Sequence, residues 1–239
     1  MDKPVLFIGD VQQVEHPVLL IERLDKGFPD HHLVFLGDFL DSWYSTPLYQ
    51  VKSLRYALDL VEGGRAEMVW SNHDAGYAFT NLNGWCSGFN AVTHSMVGLG
   101  PLAERMRKLI VPYVLIGEHA TLVTHAGITD PLADILDVDI TPELLLDWWA
   151  HVGASPYYWI GKSRGGRDRV GGPLWCDWQS EFIPLGGITQ IVGHSHWSKI
   201  EHAYKSGGEA YNVDCLTRKG EQIVLELSVK GQFNEVKVP

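Results

Sequence analysis

The sequence predicts an α/β fold built as a layered sandwich with mixed sheets. Short apolar runs rich in β-branched residues alternate with amphipathic stretches over the first half of the chain, and the last part is richer in strand-like runs. The chain has 239 residues, 45% of them hydrophobic, which is enough for one sizeable core. We therefore expect one domain that spans residues 1–239.

Seven apolar runs have the length and composition of buried strands. They are Val5–Ile8, Leu33–Leu36, Met68–Trp70, Tyr113–Ile116, Thr121–Thr124, Ile188–Val192 and Ile223–Leu227.

Three stretches between these runs have helical features. Pro17–Leu24 and Leu48–Val61 have the helical period, and Gly63-Gly64 supplies a stop after the second. Thr141-Pro142-Glu143 predicts an N-cap, a proline at the first helical position and an acidic first turn, followed by a helix over Leu144–Ala150. By contrast, residues 161–172 hold five glycines and four basic residues, which predicts a basic loop.

The composition excludes several classes of protein. The sequence contains no run of the roughly 18 to 20 uncharged apolar residues that are needed to cross a bilayer, and its first residues carry no basic, apolar leader. We therefore expect a cytoplasmic protein that does not bind membranes. The formal net charge of −10 disfavours long nucleic acids as partners. Three scattered cysteines indicate neither a disulfide framework nor a zinc ribbon. The oligomeric state stays open.

Polar residues follow five of the predicted strands, each just past its carboxyl end. The segments are Gly9-Asp10-Val11-Gln12, Gly37-Asp38-Phe39-Leu40-Asp41, Ser71-Asn72-His73-Asp74, His125-Ala126-Gly127 and Gly193-His194-Ser195-His196. In α/β sheets this edge is where ligands bind, so the side chains are expected to meet in one site. Carboxylates, an amide and imidazoles without a thiolate suit Mn, Fe or Zn. A carboxylate bridging two such ions would let them polarise a phosphoryl oxygen and ionise a water.

These five blocks, in this order, resemble those of the calcineurin-like metallophosphoesterase superfamily. His125-Ala126-Gly127-Ile128, Gly172-Pro173-Leu174-Trp175 and Trp197 are similar to the branch that contains phosphoprotein phosphatases and symmetrical diadenosine tetraphosphatases. The resemblance runs from residue 10 to residue 196. It implies the α-β-β-α metallophosphoesterase sandwich, two divalent metal ions and the hydrolysis of a phosphate ester or anhydride.

The resemblance also implies a role for each polar residue. Two aspartates, Asp10 and Asp38, would hold the first metal, with Asp38 bridging to the second. The other ligands of the second metal would be Asn72, His125 and His194. His73 would protonate the leaving oxygen and Asp41 would orient it, because a proton donor needs a charged imidazole supported by a carboxylate.

The sequence departs from the family at Gln12, where relatives have a metal-binding histidine. An amide oxygen is a weaker ligand than an imidazole for first-row ions. His196 offers an imidazole that other superfamily members direct to the first metal, so we interpret Gln12 and His196 as a compensating pair. The alternative is that Gln12 only hydrogen-bonds a metal-bound water.

A second departure removes a cation. Asp41-Ser42-Trp43 replaces the Asp-Arg-Gly of many relatives, so the arginine that would clamp the phosphate is missing. The basic loop is the expected substitute, with Arg167 and Arg169 as first choices and Arg164 behind them, since an arginine fork matches phosphate. The alternative for each arginine is a solvated loop residue.

Six tryptophans, Trp85, Trp148, Trp149, Trp159, Trp175 and Trp178, could stack on a nucleobase, but large aromatic residues are more often core material. The substrate therefore stays open between a phosphomonoester, of a phosphoprotein or a small metabolite, and a nucleotide polyphosphate anhydride. A catalytically silent metal- or phosphate-binding protein is the alternative that Gln12 suggests.

Overall fold

The computed structural model describes residues 2–79, 81–82, 86–98, 100–117, 121–205 and 207–239. Over these ranges the strands are β1 (Val5–Ile8), β2 (His32–Phe35), β3 (Ala66–Met68), β4 (Val114–Ile116), β5 (Thr121–Val123), β6 (Thr189–Val192), β7 (Glu201–Lys205), β8 (Gly208–Asn212), β9 (Ile223–Leu227) and β10 (Phe233–Lys237). The α-helices are α1 (Pro17–Gly27), α2 (Pro47–Glu62), α3 (Asn72–Ala78), α4 (Ala91–Val97), α5 (Pro101–Leu109), α6 (Asp130–Leu136) and α7 (Pro142–Ala150).

The strands form two mixed sheets of five. The order in the first sheet is β10-β9-β1-β2-β3, and in the second it is β4-β5-β6-β8-β7. In the first sheet β1, β2 and β3 are parallel, with β3 at one edge, and in the second sheet β5, β6 and β8 are parallel. The ends of these parallel strands are therefore where loops can bring side chains from both sheets together.

Alternating residues of the central strands face two different cores. Val5 and Phe7 of β1 pack with Val123 and Ile191 of the second sheet, in the layer between the sheets. Leu6 and Ile8 belong to a separate buried cluster with residues of α1 and α2. This period of two is the signature of a strand buried on both faces, and it produces the predicted layered sandwich.

The predicted elements are found in the structure, with small differences at their ends. All seven predicted strands are present, α1 extends to Gly27, and α2 begins one residue earlier, where Thr46 accepts a hydrogen bond from Tyr49 N. The Thr141 side chain caps α7 as expected. Helices α3 to α6 are not predicted, because each is short or has an apolar pattern that periodicity alone does not separate from a loop.

None of the helices in the described ranges is long and apolar enough to cross a membrane.

Candidate functional site

The polar residues that follow the strands meet in one cavity of about 600 Å³. Its lining includes Asp10, Gln12, Asp38, Asn72, His73, His194 and His196. His125 lies buried beneath, with its Nε2 atom 2.8 Å from Asn72 Oδ1. The first sheet thus contributes the aspartates, the asparagine and His73, and the second sheet contributes His125, His194 and His196.

The backbone that presents these side chains is strained at three of them. Asp38, Asp41 and His194 have φ values of 54°, 63° and 67°, in the left-handed region that residues other than glycine rarely adopt. Before Asp38, Gly37 has a φ of 95°, and a Cβ atom there would lie 2.5 Å from the Cβ of Ser71. Strain of this kind persists where the surrounding structure holds it, and it concentrates at functional sites.

Three side chains converge as a possible metal site. One ligand atom from each of Asp38, His125 and His194 lies within 4.8 Å of the others. His125 Nδ1 lies 2.7 Å from the carbonyl oxygen of Leu36. Because a carbonyl oxygen only accepts hydrogen bonds, Nδ1 carries the proton, and the Nε2 atom of His125 keeps a free lone pair. Asp38 Oδ1 and His194 Nε2 are buried and have no hydrogen-bond partner among the residues that the structure describes.

The charges of this cluster also fit a metal. Burial lowers the pKa of His125, and burial together with His125 and Arg164 holds the pKa of His194 well below its usual value, so both imidazoles are neutral. Burial alone would raise the pKa of Asp38, but the opposing groups, of which His73 has the largest effect, lower that pKa. Neutral imidazoles beside an ionised carboxylate are what a divalent cation requires.

A second group of acids lies beside the first. Asp10 and Asp214 are almost completely buried, and Asp10 Oδ1 accepts a hydrogen bond from His194 N at 3.1 Å. Burial, Asp214 and Asp38 together raise the pKa of Asp10 well above its usual value. A cation beside Asp10 and Asp38 would offset the repulsion among these carboxylates. Asp10, Asp38, Gln12 and His196 are the cavity-lining residues that could hold it.

An imidazole and a carboxylate form a pair at the same cavity. His73 Nδ1 lies 2.9 Å from Asp41 Oδ2, and His73 Nε2 lies 4.0 Å from Asp38 Oδ2. Burial would lower the pKa of His73, but Asp38 and Asp41 reverse that effect and raise it. The Tyr77 hydroxyl donates to the other oxygen of Asp41. This arrangement can hold a proton on Nε2 and deliver it into the cavity.

Comparison with known proteins identifies the family. The sequence profile of the calcineurin-like phosphoesterases matches residues 3–198. The chain belongs to the calcineurin-like phosphoesterase family. It is therefore a member of a metal-dependent hydrolase family that acts on phosphorylated substrates.

Solved structures share the calcineurin-like phosphoesterase fold of this chain. A cold-active protein-tyrosine phosphatase of a psychrophilic Shewanella species is 16% identical, with a TM-score of 0.65 over 98% of this chain and 80% of that chain. The hypothetical protein PH1004 from Pyrococcus horikoshii OT3 is 10% identical, with a TM-score of 0.52 over 99% and 87%. At these identities the likeness concerns the fold. No curated protein matches the sequence.

Gln12, the first departure from the family pattern, contacts the expected bridging residue. Its Nε2 donates to Asp38 Oδ2 at 2.7 Å, and its backbone N–H donates to the carbonyl oxygen of Asp38 at 2.6 Å. The amide oxygen is therefore the atom of Gln12 that a cation or a water could use. His196 lies across the cavity, with Nδ1 3.3 Å from Asp214 Oδ1, a contact that orients its ring.

The structure changes our preference among the three arginines. Arg164 lines the cavity, where it donates to Ser195 Oγ at 2.7 Å and forms an ion pair with Asp177. Arg167 and Arg169, our first choices, are exposed and lie outside the cavity lining. The physical reason is the turn at Gly165, with a φ of 81°. Gly165 and Gly166 still line the cavity, and the chain leaves the cavity wall after Gly166. Only Arg164 precedes that turn.

Several residues of the cavity region are missing from the sequence-based site, among them Asp214, Cys86 and Trp43. Asp214 follows β8 and obeys the rule for strand ends, but the mixed composition of β8 does not mark it as a strand. Cys86 lines the cavity as a free thiol and accepts a hydrogen bond from Asn72 Nδ2 at 3.6 Å. Trp43 lines it too. No sequence signal points to Cys86, because it lies in a loop without a motif.

The tryptophans are distributed between core and cavity. Trp148 is buried, as expected of a residue that covers the sheet, and Trp149 stacks on Trp70. Trp175 lines the cavity. Trp85 lies outside the described residues.

Proposed function

We propose that this protein hydrolyses phosphate monoesters with the help of two divalent metal ions, most simply Mn, Fe or Zn. The observation that carries the proposal is the convergence of Asp38, His125 and His194 beside the His73–Asp41 pair. The first group can bind a cation and the second can supply a proton. A protein that only bound metal would have no use for the second.

The ligand sets follow from the chemistry of the lining. The first ion would be held by Asp10, Asp38 and His196, with Gln12 as a weak further ligand. The second would be held by the same Asp38 together with Asn72, His125 and His194. Bound divalent ions supply Lewis acidity, which polarises a phosphoryl group and lowers the pKa of a water molecule.

Side chains of the protein would bind the phosphoryl group, transfer the proton and position these groups. Arg164 lies in the wall of the cavity and could donate to two phosphoryl oxygens, in place of the arginine that is missing after Asp41. His73 would release its proton to the leaving oxygen, while Asp41 fixes the orientation of the imidazole. Asp214 would act through His196 as a positioning residue.

Two other functions make different predictions for the same assay. A nucleotide polyphosphate anhydride is the other substrate class that the sequence leaves open, and a silent binding protein is the alternative to an enzyme. The test is turnover by purified protein, with Mn²⁺, Fe²⁺ or Zn²⁺ added singly, of p-nitrophenyl phosphate, bis(p-nitrophenyl) phosphate and diadenosine tetraphosphate. We expect metal-dependent turnover of the monoester to be fastest. Metal binding without turnover of any substrate would refute the enzyme.

A further inference from the structure

Two large aromatic side chains stand exposed at the cavity. Trp43 is 75% exposed and Tyr44 is 43% exposed, and both belong to the lining. Exposure of a tryptophan forgoes the free energy that its burial would contribute, about 25 cal/mol for each Å². Within the described part of the chain, the Trp43 ring stacks on no other aromatic ring, so its packing gives no reason for this position.

The loop that carries Trp43 is held firmly. Ser42 Oγ accepts hydrogen bonds from the backbone N–H groups of Tyr44 and Ser45, and it donates to the carbonyl oxygen of Gln12 at 2.6 Å. Buried Gln50 donates from Nε2 to the carbonyl oxygens of Ser42 and Ser45. These hydrogen bonds fix the backbone on both sides of Trp43, so the exposed indole projects from a preorganised segment.

The neighbouring aromatic residue is fixed as well. The Arg218 guanidinium lies 5.3 Å from the centre of the Tyr44 ring, and it also pairs with Glu15. A cation in that position stabilises the ring where it stands.

The remaining apolar lining of the cavity also contains aromatic residues. Tyr158, Ile160 and Trp175 contribute to it, and the Tyr158 and Trp175 rings meet edge to face with centroids 6.1 Å apart. The cavity thus combines the polar groups of the metal cluster with aromatic surface. A ligand that fits both is an anion attached to a flat apolar group.

The position of Trp43 in the chain indicates which part of the substrate carries the flat apolar group. Asp41, which holds the proton donor His73, lies two residues before Trp43 on the same fixed loop. In ester hydrolysis the donor protonates the oxygen of the departing alcohol. A ring that contacts Trp43 is therefore expected to belong to the alcohol portion of the substrate.

We infer that the substrate is a phosphate monoester whose alcohol portion carries an aromatic ring, and that Trp43 binds that ring. This inference rests on the proposed phosphomonoesterase function. The ring could belong to an aryl phosphate such as a phosphotyrosyl group or to the base of a nucleotide, and both offer the same flat face for stacking.

The test compares substrates that differ only in the ring. 2-Phenylethyl phosphate and 2-cyclohexylethyl phosphate have alcohols of nearly equal acidity, so a difference between them reports ring recognition. We expect kcat/KM to favour the phenyl compound by about 3- to 10-fold, the range that aromatic pairing supports. Trp43→Ala should abolish the preference and Trp43→Phe should keep most of it. Tyr204→Ala is the matched control, since Tyr204 is 72% exposed but outside the cavity lining.

Two further comparisons identify the source of the ring. Phosphotyrosine is compared with phosphoserine, and adenosine 5′-monophosphate with ribose 5-phosphate, each in wild type and Trp43→Ala. A preference that requires Trp43 in either pair supports the inference and names the source.

Equal kcat/KM for the phenyl and cyclohexyl compounds, unchanged by Trp43→Ala, would overturn the inference and leave the phosphatase intact. If neither compound is turned over, the proposed function fails, and binding decides the inference separately. Titration calorimetry with phenylphosphonate and cyclohexylphosphonate on the metal-loaded protein then replaces turnover. Equal dissociation constants for the two phosphonates would reject aromatic recognition.

Discussion

The Nδ1 atom of His73 lies 2.9 Å from Oδ2 of Asp41, a residue 32 positions earlier in the chain. The contact links the loop after β2 to the first turn of α3. Because Nδ1 is engaged, Nε2 is the ring atom that is directed into the cavity. The expected roles of both residues depend on this one hydrogen bond.

Replacement of His73 tests the proton donor. His73→Asn should lower kcat for an alkyl phosphate by about two to four orders of magnitude, the usual effect of a lost general acid. The loss should be smaller for p-nitrophenyl phosphate, because its leaving group needs little protonation. Steady-state kinetics on both substrates measures the difference, and metal analysis should show unchanged content. Equal losses on the two substrates would mean that His73 does not donate the proton.

The proposed bridging role of Asp38 predicts a loss of metal when this residue is replaced. Asp38→Asn removes the charge that the two ions would share, so bound metal and activity should both fall at least tenfold. Elemental analysis of the purified variant, after equilibration with limiting Mn²⁺, gives the metal content. Full occupancy in Asp38→Asn would show that the bridge is assigned to the wrong residue.

The arginines provide an internal comparison. Arg164→Ala should reduce kcat/KM by about 10- to 100-fold, as expected for the loss of a charge-assisted hydrogen bond to a phosphoryl group. Arg167→Ala and Arg169→Ala should behave like wild type, because both side chains lie outside the cavity. Kinetics on p-nitrophenyl phosphate distinguishes the three variants. A larger defect in Arg167→Ala or Arg169→Ala than in Arg164→Ala would restore the original preference.

The proposed compensation between Gln12 and His196 can be measured as a coupling. His196→Ala should selectively weaken the first metal, while the second ion should stay bound. Adding Gln12→His to that variant should restore part of the lost occupancy, because an imidazole returns to the same ion. Calorimetric titration with Mn²⁺ resolves the two sites. If His196→Ala leaves both metals bound, or Gln12→His rescues nothing, Gln12 is better explained as a partner of a metal-bound water.

Asp214 should act only through His196. Asp214→Ala should weaken Mn²⁺ binding about 10-fold or more, as the loss of a group that orients a metal ligand does. Asp214→Asn, which keeps an acceptor for His196 Nδ1, should retain more affinity. In the His196→Ala background, Asp214→Ala should cost nothing further. Additive losses in the calorimetric titration would mean that Asp214 contacts the metal by another route.

Seven of the ten strands in the described ranges could be predicted from the sequence, and so could the meeting of polar side chains at the ends of the parallel strands. Runs rich in β-branched residues indicate buried strands, and the geometry of parallel strand ends predicts that the polar residues after those strands lie close together. Asp214 is absent from the sequence-based site because β8 has mixed composition and pairs with the edge strand β7, none of whose residues is buried. The choice of Arg164 over Arg167 depends on a single turn at Gly165. Amino-acid composition does not reveal the direction that the chain takes after such a turn.

The pairing of the last two strands described protects β1, the strand that Asp10 follows. Strand β9 pairs antiparallel with β1, Phe7 opposite Leu225, so the backbone edge of β1 is covered. Strand β10 forms the outer edge instead, and Asn234, Glu235 and Lys237 supply the polar and charged side chains that discourage edge-to-edge association. A fragment that stopped at residue 198, where the family profile ends, would uncover an apolar edge at the site itself. Strands β9 and β10, which lie beyond the family motifs, thus protect the first sheet against aggregation through its edge.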